Sequence, residues 1–585
     1  MPAGRLAFFL LGRTFYFRSE LDLFTAHCHT LIMIRKYFLY STGASVLLGL
    51  SLCQNPSQEQ QIPPVELIEE SGIAAHIETL ASDDFQGRMP FTEGEEQTVN
   101  YMINAFKDLG LDPGNGLSYE QEVPLVEINA TPQGPMVIQG PQGARELTYL
   151  DEFVALTRRV QEQVQVTDSE MVFAGYGIVA PEYNWNDYQG LDVEGKTVVV
   201  MVNDPGYGSE DESFFKGNTM TYYGRWTYKY EEAARQGAEG ILIIHDDGPA
   251  GYPWAVVRGG WSGPNQYLKA ADNNLSRCAI EGWITLGVAQ ELLAASGLDQ
   301  SLLDQAKSGE FQAVPLATTV NIGLDNVLKE DVSRNVIGVV PGTERPDEYI
   351  IYSAHWDHMG VGEPIDGDSI YNGAEDNASG VACLLEIAQA FMQEGSLPKR
   401  SVAFLMVTAE EQGLLGSAYY AANPIYPPEK TVANLNIDAL GSYGATKDVI
   451  VVGHGQSELD DYAEEMASSQ DRYIVPDQEP EKGYFFRSDH FSFAKIGIPA
   501  LYAEGGLDSR ENGKEWGTAR KQAYTAERYH KPFDEYTPET WDLGGMVEDA
   551  QLFYLIGNKI ANESSYPQWK EGSEFKAIRE SYMNP

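Results

Sequence analysis

The sequence predicts a three-layer α/β/α sandwich interrupted by a β-rich insertion, and three observations carry that reading. From Arg334 onward, short apolar runs ("NVIGVVPG", "EYIIYSAH", "SVAFLMVTA", "TVANLNIDA", "DVIVVG") alternate with helical stretches such as "GVACLLEIAQAFMQ". Continuous apolar strands of this kind are buried on both faces, as in a sheet covered by helices on each side. Polar residues gather where these strands end, the usual place for a ligand site in an open α/β sheet. Residues 150–325 have a different texture, with strand-like runs broken by Gly, Pro, Asn and Tyr clusters. The α/β pattern is therefore interrupted and then resumes.

In chain order, residues 1–60 read as an upstream segment, an export signal and a linker. Met33-Ile-Arg-Lys supplies a basic start, Tyr37 to Leu52 an apolar stretch, and Cys53 precedes the polar "QNPSQEQQ". Residues 1–32 interrupt their apolar residues with Arg13, Arg18, Glu20 and Asp22, which points to Met33 as the natural start. The run "LSLC" is similar to a bacterial lipoprotein box with Cys53 as the lipidated residue, but departs from it at Leu52, where a small residue is usual. Periplasmic or extracellular secretion, a lipid anchor and retention of the segment in the membrane stay open. The apolar stretch of about 16 residues is short of the roughly 20 that a helical span needs.

Residues 61–149 open the main domain with two expected helices, "GIAAHIETLASDDFQGR" and "EEQTVNYMINAFKDLGLDPG". The second sets Val99, Met102, Ile103 and Phe106 on one face and stops at Gly110. Residues 150–325 form the insertion, with strands in "EMVFAGYGIV", "KTVVVMVNDPG" and "GAEGILIIHDD". Residues 326–585 complete the sandwich.

Composition narrows the function classes. A chain of 585 residues with 43% hydrophobic and 11% aromatic content is folded and holds more than one packed unit. Forty Lys and Arg against 86 Asp and Glu give a net charge of −46, which repels nucleic acid and anionic headgroups. Of the four cysteines, Cys28 and Cys53 precede the globular part, while Cys278 and Cys383 lie far apart. That excludes a disulfide scaffold and a cysteine zinc cluster, so any metal site must use His, Asp and Glu.

The strand ends supply such residues in "SAHWDHMG", "NGAEDNASG", "TAEEQG", "NIDALG" and "RYHKPFDEY". Hard carboxylates with neutral imidazoles suit zinc, and equally manganese or cobalt, and a bridging carboxylate allows two metals. His355 lies just past an apolar strand, and Asp357 can accept its other ring N–H. Asp376 precedes an apolar helix that Asn377 or Ser379 would cap, which leaves its carboxylate free to bridge. Asp438 follows "VANLNI", where a turn former and a ligand are both reasonable readings. Glu410 and Glu411 stand side by side, either as an acidic first turn or as two carboxylates with different partners.

Taken in order, H-x-D, GA-acid-D-NASG, AEE-x-G-L-x-GS, an N-x-D strand end and a late YH resemble the di-zinc exopeptidases of metallopeptidase family 28. The likeness runs from about residue 65 to 565, and the middle is similar to the protease-associated domain that several members carry inserted. The resemblance implies a mixed central sheet and two Zn²⁺, with His355 and Asp438 on one metal, Glu411 and His530 on the other, and Asp376 bridging. It also implies Glu410 as general base, Asp357 as partner of His355, and Tyr529 as donor to the transition-state oxyanion. His530 is expected as the last ligand ahead of His490, with the SDH segment lining the substrate side. His358 and His454 have no matched position and read as loop or packing histidines.

Arg487, Asp489, His490 and Phe486 are the candidate substrate residues. Arg487 would bind a substrate carboxylate or simply pair with Asp489, and Phe486 would touch a substrate side chain or lie in the core. The implied activity on peptides is that of an aminopeptidase, with carboxypeptidase or dipeptidase action the alternative. A glutaminyl cyclase or a receptor-like binding protein is disfavoured by the filled ligand positions. Oligomeric state stays open.

Overall fold

A computed structural model of the chain describes residues 64–583 except 394 and 396. Met33, the export signal, Cys28 and Cys53 lie outside the described residues.

The main sheet is mixed. Its strands run in the spatial order Asp112–Pro113, the end of Val314–Val340, Arg400–Val407, Arg345–His355, Thr431–Asn436, Ala500–Gly505, Asp448–Val452 and Tyr473–Pro476. Arg345–His355 is parallel to both of its neighbours, and Thr431–Asn436 is parallel to Ala500–Gly505. Successive side chains of a strand point to opposite faces. Accordingly Val336, Ile350, Tyr352, Phe404 and Met406 pack on one side, and Ile337, Ile351, Ala403, Leu405 and Val407 on the other.

Helices Glu70–Leu80, Glu93–Leu109, Ser379–Met392 and Gly544–Asn562 cover the first face. Leu415–Ala422 and His490–Lys495 cover the second, through Tyr420 and Phe493. The helix Ser379–Met392 is apolar on nearly every side because it is enclosed by the sheet and by its neighbours Glu70–Leu80 and Gly544–Asn562. Glu93–Leu109 ends at Gly110 as the sequence predicts, with φ +81° at the cap.

Two long strands, Glu120–Pro132 and Val314–Val340, pair antiparallel from Val336↔Glu120 to Leu324↔Pro132 and lead away from this sheet. Beyond them, Gln163–Phe173, Thr197–Met201, Gly240–His245 and Ile280–Thr285 form a parallel set edged by antiparallel Phe153–Leu156. This region holds separate apolar cores around Phe173, Leu242 and Ile284 on one face and Val198, Ile243 and Trp283 on the other. Cys278 and Cys383 are buried and unpaired.

Candidate metal centre

Register decides which side chains meet. His355 pairs with Val407 and Ser353 with Asn436 across the three parallel central strands. The chain therefore leaves all three at one level, which brings Glu410, Glu411 and Asp438 to the edge where His355 ends its strand. Asp376 arrives from the turn that opens Ser379–Met392, and His530 from the segment after helix Lys514–Glu527.

The carboxylate of Asp376 faces two ways. Its Oδ1 lies 3.2 Å from His355 Nε2, and its Oδ2 lies 3.3 Å from His530 Nε2. His355 Nε2 is also 3.2 Å from Asp438 Oδ1, and His530 Nε2 is 3.0 Å from Glu411 Oε2. Two donor sets result, His355 with Asp376 and Asp438, and His358 with Asp376 and Glu411, each with its ligand atoms within 4.8 Å of one another. Asp376 belongs to both.

These residues fit a pair of cations. Among the described residues no Lys or Arg nitrogen lies within 4.0 Å of Asp376, Glu410, Glu411 or Asp438, although all four are largely buried. His358 Nδ1 approaches Glu411 Oε1 to 2.6 Å, yet the two atoms are not aligned as a hydrogen bond. Buried polar atoms that close, without hydrogen-bond geometry, are aimed at a common point. Borderline imidazole nitrogens with hard carboxylates are a zinc donor set.

Electrostatics separate the two glutamates. Burial pushes Glu411 up, as does Asp376, but His530 and His358 outweigh them and hold it down at about 2. Glu410 is pushed well above the ordinary carboxylate range by burial, with Asp438, Glu411 and Asp489 adding to it against His355. Its Oε2 stops 4.0 Å from His355 Nε2, outside both donor sets. Burial would lower His355, but Glu410 and Asp438 raise it well above 6.5.

Several supporting contacts differ from the sequence reading. His355 Nδ1 meets the backbone oxygen of Asp357 at 3.1 Å, while the Asp357 carboxylate is 3.9 Å away. The expectation that this carboxylate takes the ring N–H is corrected. It accepts instead from the backbone N–H groups of Glu410 (3.0 Å) and Glu411 (3.3 Å), and so fixes where both glutamates start. His358, expected as a loop or packing histidine, is fully buried against Glu411, because a turn of three residues past His355 brings it back to the same edge.

Arg88 and Asp534 are further residues that the sequence did not single out. The buried Arg88 guanidinium donates to the carbonyls of Trp356, Leu80, Asn372 and Gly373, tying together the loops that carry His355 and Asp376. Asp534 accepts from the backbone N–H groups of Glu375 and Asp376 and links the His530 segment to the bridging residue. The late acidic residue in "YHKPFDEY" was the available signal for Asp534; Arg88 had none beyond its place in "DDFQGR".

The substrate candidates divide. Tyr529 stacks on His530 with ring centroids 3.8 Å apart and is 42% exposed, while burial and the carboxylates Asp376, Glu411, Glu410 and Asp438 raise its hydroxyl well above the usual phenol range. Phe486 is buried with Met220, Phe485, Phe491 and Trp569, which favours its core alternative over a substrate contact: the aromatic run "YFF" is used to close a core. His490 is buried between Phe485 and Tyr502, outside both donor sets. Asp489 is buried, and burial pushes its carboxyl up to about 7. Among the described residues it forms no ion pair with Arg487, which removes that alternative. His454 belongs to neither donor set.

Residues 335–555 match the family model described as Peptidase family M28. This stretch is a peptidase family M28 domain. Over part of its length the chain is 35% identical to "Aminopeptidase NAALADL1" of Mus musculus, across 21% of this chain and 16% of that protein. It is 28% identical to "probable leucine aminopeptidase 2" of Aspergillus oryzae across 41% and 46%, and 30% identical to "Leupeptin-inactivating enzyme 1" of Streptomyces exfoliatus across 35% and 43%. The matched stretches thus span less than half the length of these relatives. Among solved structures, the aminopeptidase from Aneurinibacillus sp. strain AM-1 aligns over 86% of this chain and 97% of its own, at 20% identity and a TM-score of 0.46. A zinc aminopeptidase from Bacillus subtilis aligns over the same shares at 16% and 0.40. The matched residues 335–555 contain His355, His358, Asp376, Glu410, Glu411, Asp438 and His530, whereas Arg88 lies outside them.

Proposed function

We propose that the chain is an exported zinc-dependent exopeptidase, an aminopeptidase that removes N-terminal residues from peptides. The observation that carries this reading is the pair of donor sets sharing Asp376, with one carboxylate, Glu410, beside them and outside both. One zinc would be held by His355, Asp438 and Asp376. The second would be held by Asp376 and Glu411 with the imidazoles of His358, which completes the donor set, and of His530, 3.0 Å from Glu411. Two bound zinc ions supply Lewis acidity, lowering the pKa of water and polarising a peptide carbonyl.

The chain's own residues do the rest. Glu410 takes the proton of the attacking water on its carboxylate and passes it to the leaving amine nitrogen. Tyr529 donates its hydroxyl proton as a hydrogen bond to the oxyanion that develops on the attacked carbonyl. Asp357 holds the backbone N–H groups of both glutamates, so the base and the ligand keep fixed positions. Residues 150–325 are read as an inserted protease-associated domain, and the segment from Met33 to Cys53 as the export signal.

The test is metal analysis of the purified chain together with aminoacyl chromogenic substrates, for the parent and for Glu410→Ala and Glu411→Ala. The expected result is cleavage of free-amine substrates that Glu410→Ala abolishes with metal retained and Glu411→Ala abolishes with metal lost. Undiminished turnover by Glu410→Ala would sink the assigned base.

A further inference from the structure

Large apolar side chains that stay exposed are mostly scattered along the described residues, as Leu117, Leu275 and Ile578 are. Scattered ones are ordinary on a protein surface. Met359, Val361 and Phe533 differ, because each lies within three positions of a histidine of the metal centre. Met359 and Val361 follow His358, and Phe533 follows His530. The His358 and His530 rings themselves are 5.8 Å apart between centroids.

Backbone contacts tie the two segments to each other. Met359 leads into a hairpin, Gly360–Ile365 with Asp368–Tyr371, in which Gly360 pairs with Tyr371. The base of the hairpin rests on Gly87, where any side chain would run into the carbonyl oxygens of Tyr371 and Gly360. Just past the hairpin, the Ala374 N–H donates to the Asp534 carbonyl at 2.9 Å, one residue on from Phe533. Asp534 is fully buried, and the Phe533 carbonyl accepts from Arg528 Nε at 2.9 Å, so the backbone on either side of this ring is held. Yet Phe533 is 38% exposed, Met359 39% and Val361 60%. Backbone this well fixed leaves apolar surface uncovered on both segments.

Burial shows which way the centre opens. The His355 side chain is 1% exposed and that of His530 is 34% exposed. The centre is therefore open beside His530, the side that Met359, Val361 and Phe533 flank. A peptidase that removes the first residue of a peptide encloses that residue and lets the remainder pass out through the opening. Apolar groups at the mouth consequently meet the residues beyond the cleaved bond, and burying apolar surface on both partners favours binding.

We infer that Met359, Val361 and Phe533 form an apolar rim that selects peptides carrying an apolar residue in the second position. The inference rests on the aminopeptidase reading and deepens it, since the rim acts on the part of the substrate that leaves.

Calorimetric titration of the zinc-loaded full chain carrying Glu410→Gln tests the rim without turnover, using the amides of Ala-Ala-Ala, Ala-Leu-Ala and Leu-Ala-Ala. Leucine in the second position should tighten binding about tenfold, the lower end for an apolar group entering an apolar site. Phe533→Ser and Met359→Ser should each reduce this gain while leaving metal content and the affinity for Ala-Ala-Ala amide unchanged. Phe533→Leu, which keeps apolar surface, should retain most of it. Equal affinity for Ala-Ala-Ala and Ala-Leu-Ala amides would overturn the rim even where the parent enzyme cleaves both, as would a gain that survives Phe533→Ser and Met359→Ser combined. A gain from leucine in the first position alone would overturn it too. A gain in the second position with no cleavage of any of the three by the parent chain would keep the rim and overturn the peptidase reading.

Discussion

The metal centre and the core of the insertion both bury charge, and they do so in opposite ways. In the insertion, Asp204 accepts from Thr221 N, Thr221 Oγ1 and Gly206 N, and Asp187 accepts from Tyr176 N and Ile178 N. The fully buried Lys229 supplies the opposing charge within their electrostatic reach. Those carboxylates are met by backbone and hydroxyl donors of the chain itself, with Lys229 nearby, which burial pulls down to about 7 and whose Nζ has no hydrogen-bond partner among the described residues. At the strand ends, among the described residues, the carboxylates of Asp376, Glu410, Glu411 and Asp438 have only histidines as possible cationic partners, with Ser488 donating to Asp438 Oδ2, and the donor atoms face one another. Buried charge that is complete within the chain supports structure, whereas buried charge that is complete only with a ligand marks a site.

Breaking the two clusters should therefore have different consequences. The largest effect is expected from Asp376→Ala, which removes the residue common to both donor sets: metal content and turnover should both be lost, read by metal analysis beside a peptidase assay. Glu410→Gln comes next. Turnover should fall by about 10²–10⁴-fold, the range for a lost general base, with metal content unchanged. In residues 150–325, Lys229→Met removes the cation nearest the buried Asp187 and Asp204 and should lower stability in denaturant unfolding, while the chain that remains folded keeps its metal.

Smaller changes sharpen the contrast. Asp357→Asn keeps the size of the side chain but replaces one of the two oxygens that accept from Glu410 and Glu411. Metal affinity should weaken by about 10–100-fold, as for other outer contacts to metal ligands. The exposed pair Lys430 and Asp347, 2.7 Å apart, should contribute the least of all, since water screens it, and a double-mutant cycle measures this.

Much of the site was legible because the sheet does the positioning. Apolar strands of similar length, in parallel, deliver whatever follows them to one edge, so His355, Glu411 and Asp438 could be grouped from their places after "IIYSA", "FLMVT" and "VANLN". Asp376 was expected to bridge from its place before a helix, and its carboxylate stands between His355 and His530. What could not be read depends on how irregular backbone returns on itself. His358 reaches Glu411 only through the turn after His355. Arg88 bonds Trp356, Asn372 and Gly373 more than 260 positions away with no periodic pattern to announce it. Asp357 was assigned the right neighbourhood and the wrong partner, since a carbonyl and a carboxylate of the same residue lie close together. Phe486 illustrates the remaining ambiguity: an aromatic beside a site motif fits a pocket or a core equally in sequence, and only packing decides.

The central claim is that Asp376 joins two metal positions in one centre. It is tested most directly by zinc titration of the parent chain and of Asp376→Ala, following bound metal per chain. The account predicts two zinc ions in the parent and loss of both in the variant. One zinc in the parent, or two retained without Asp376, would contradict it.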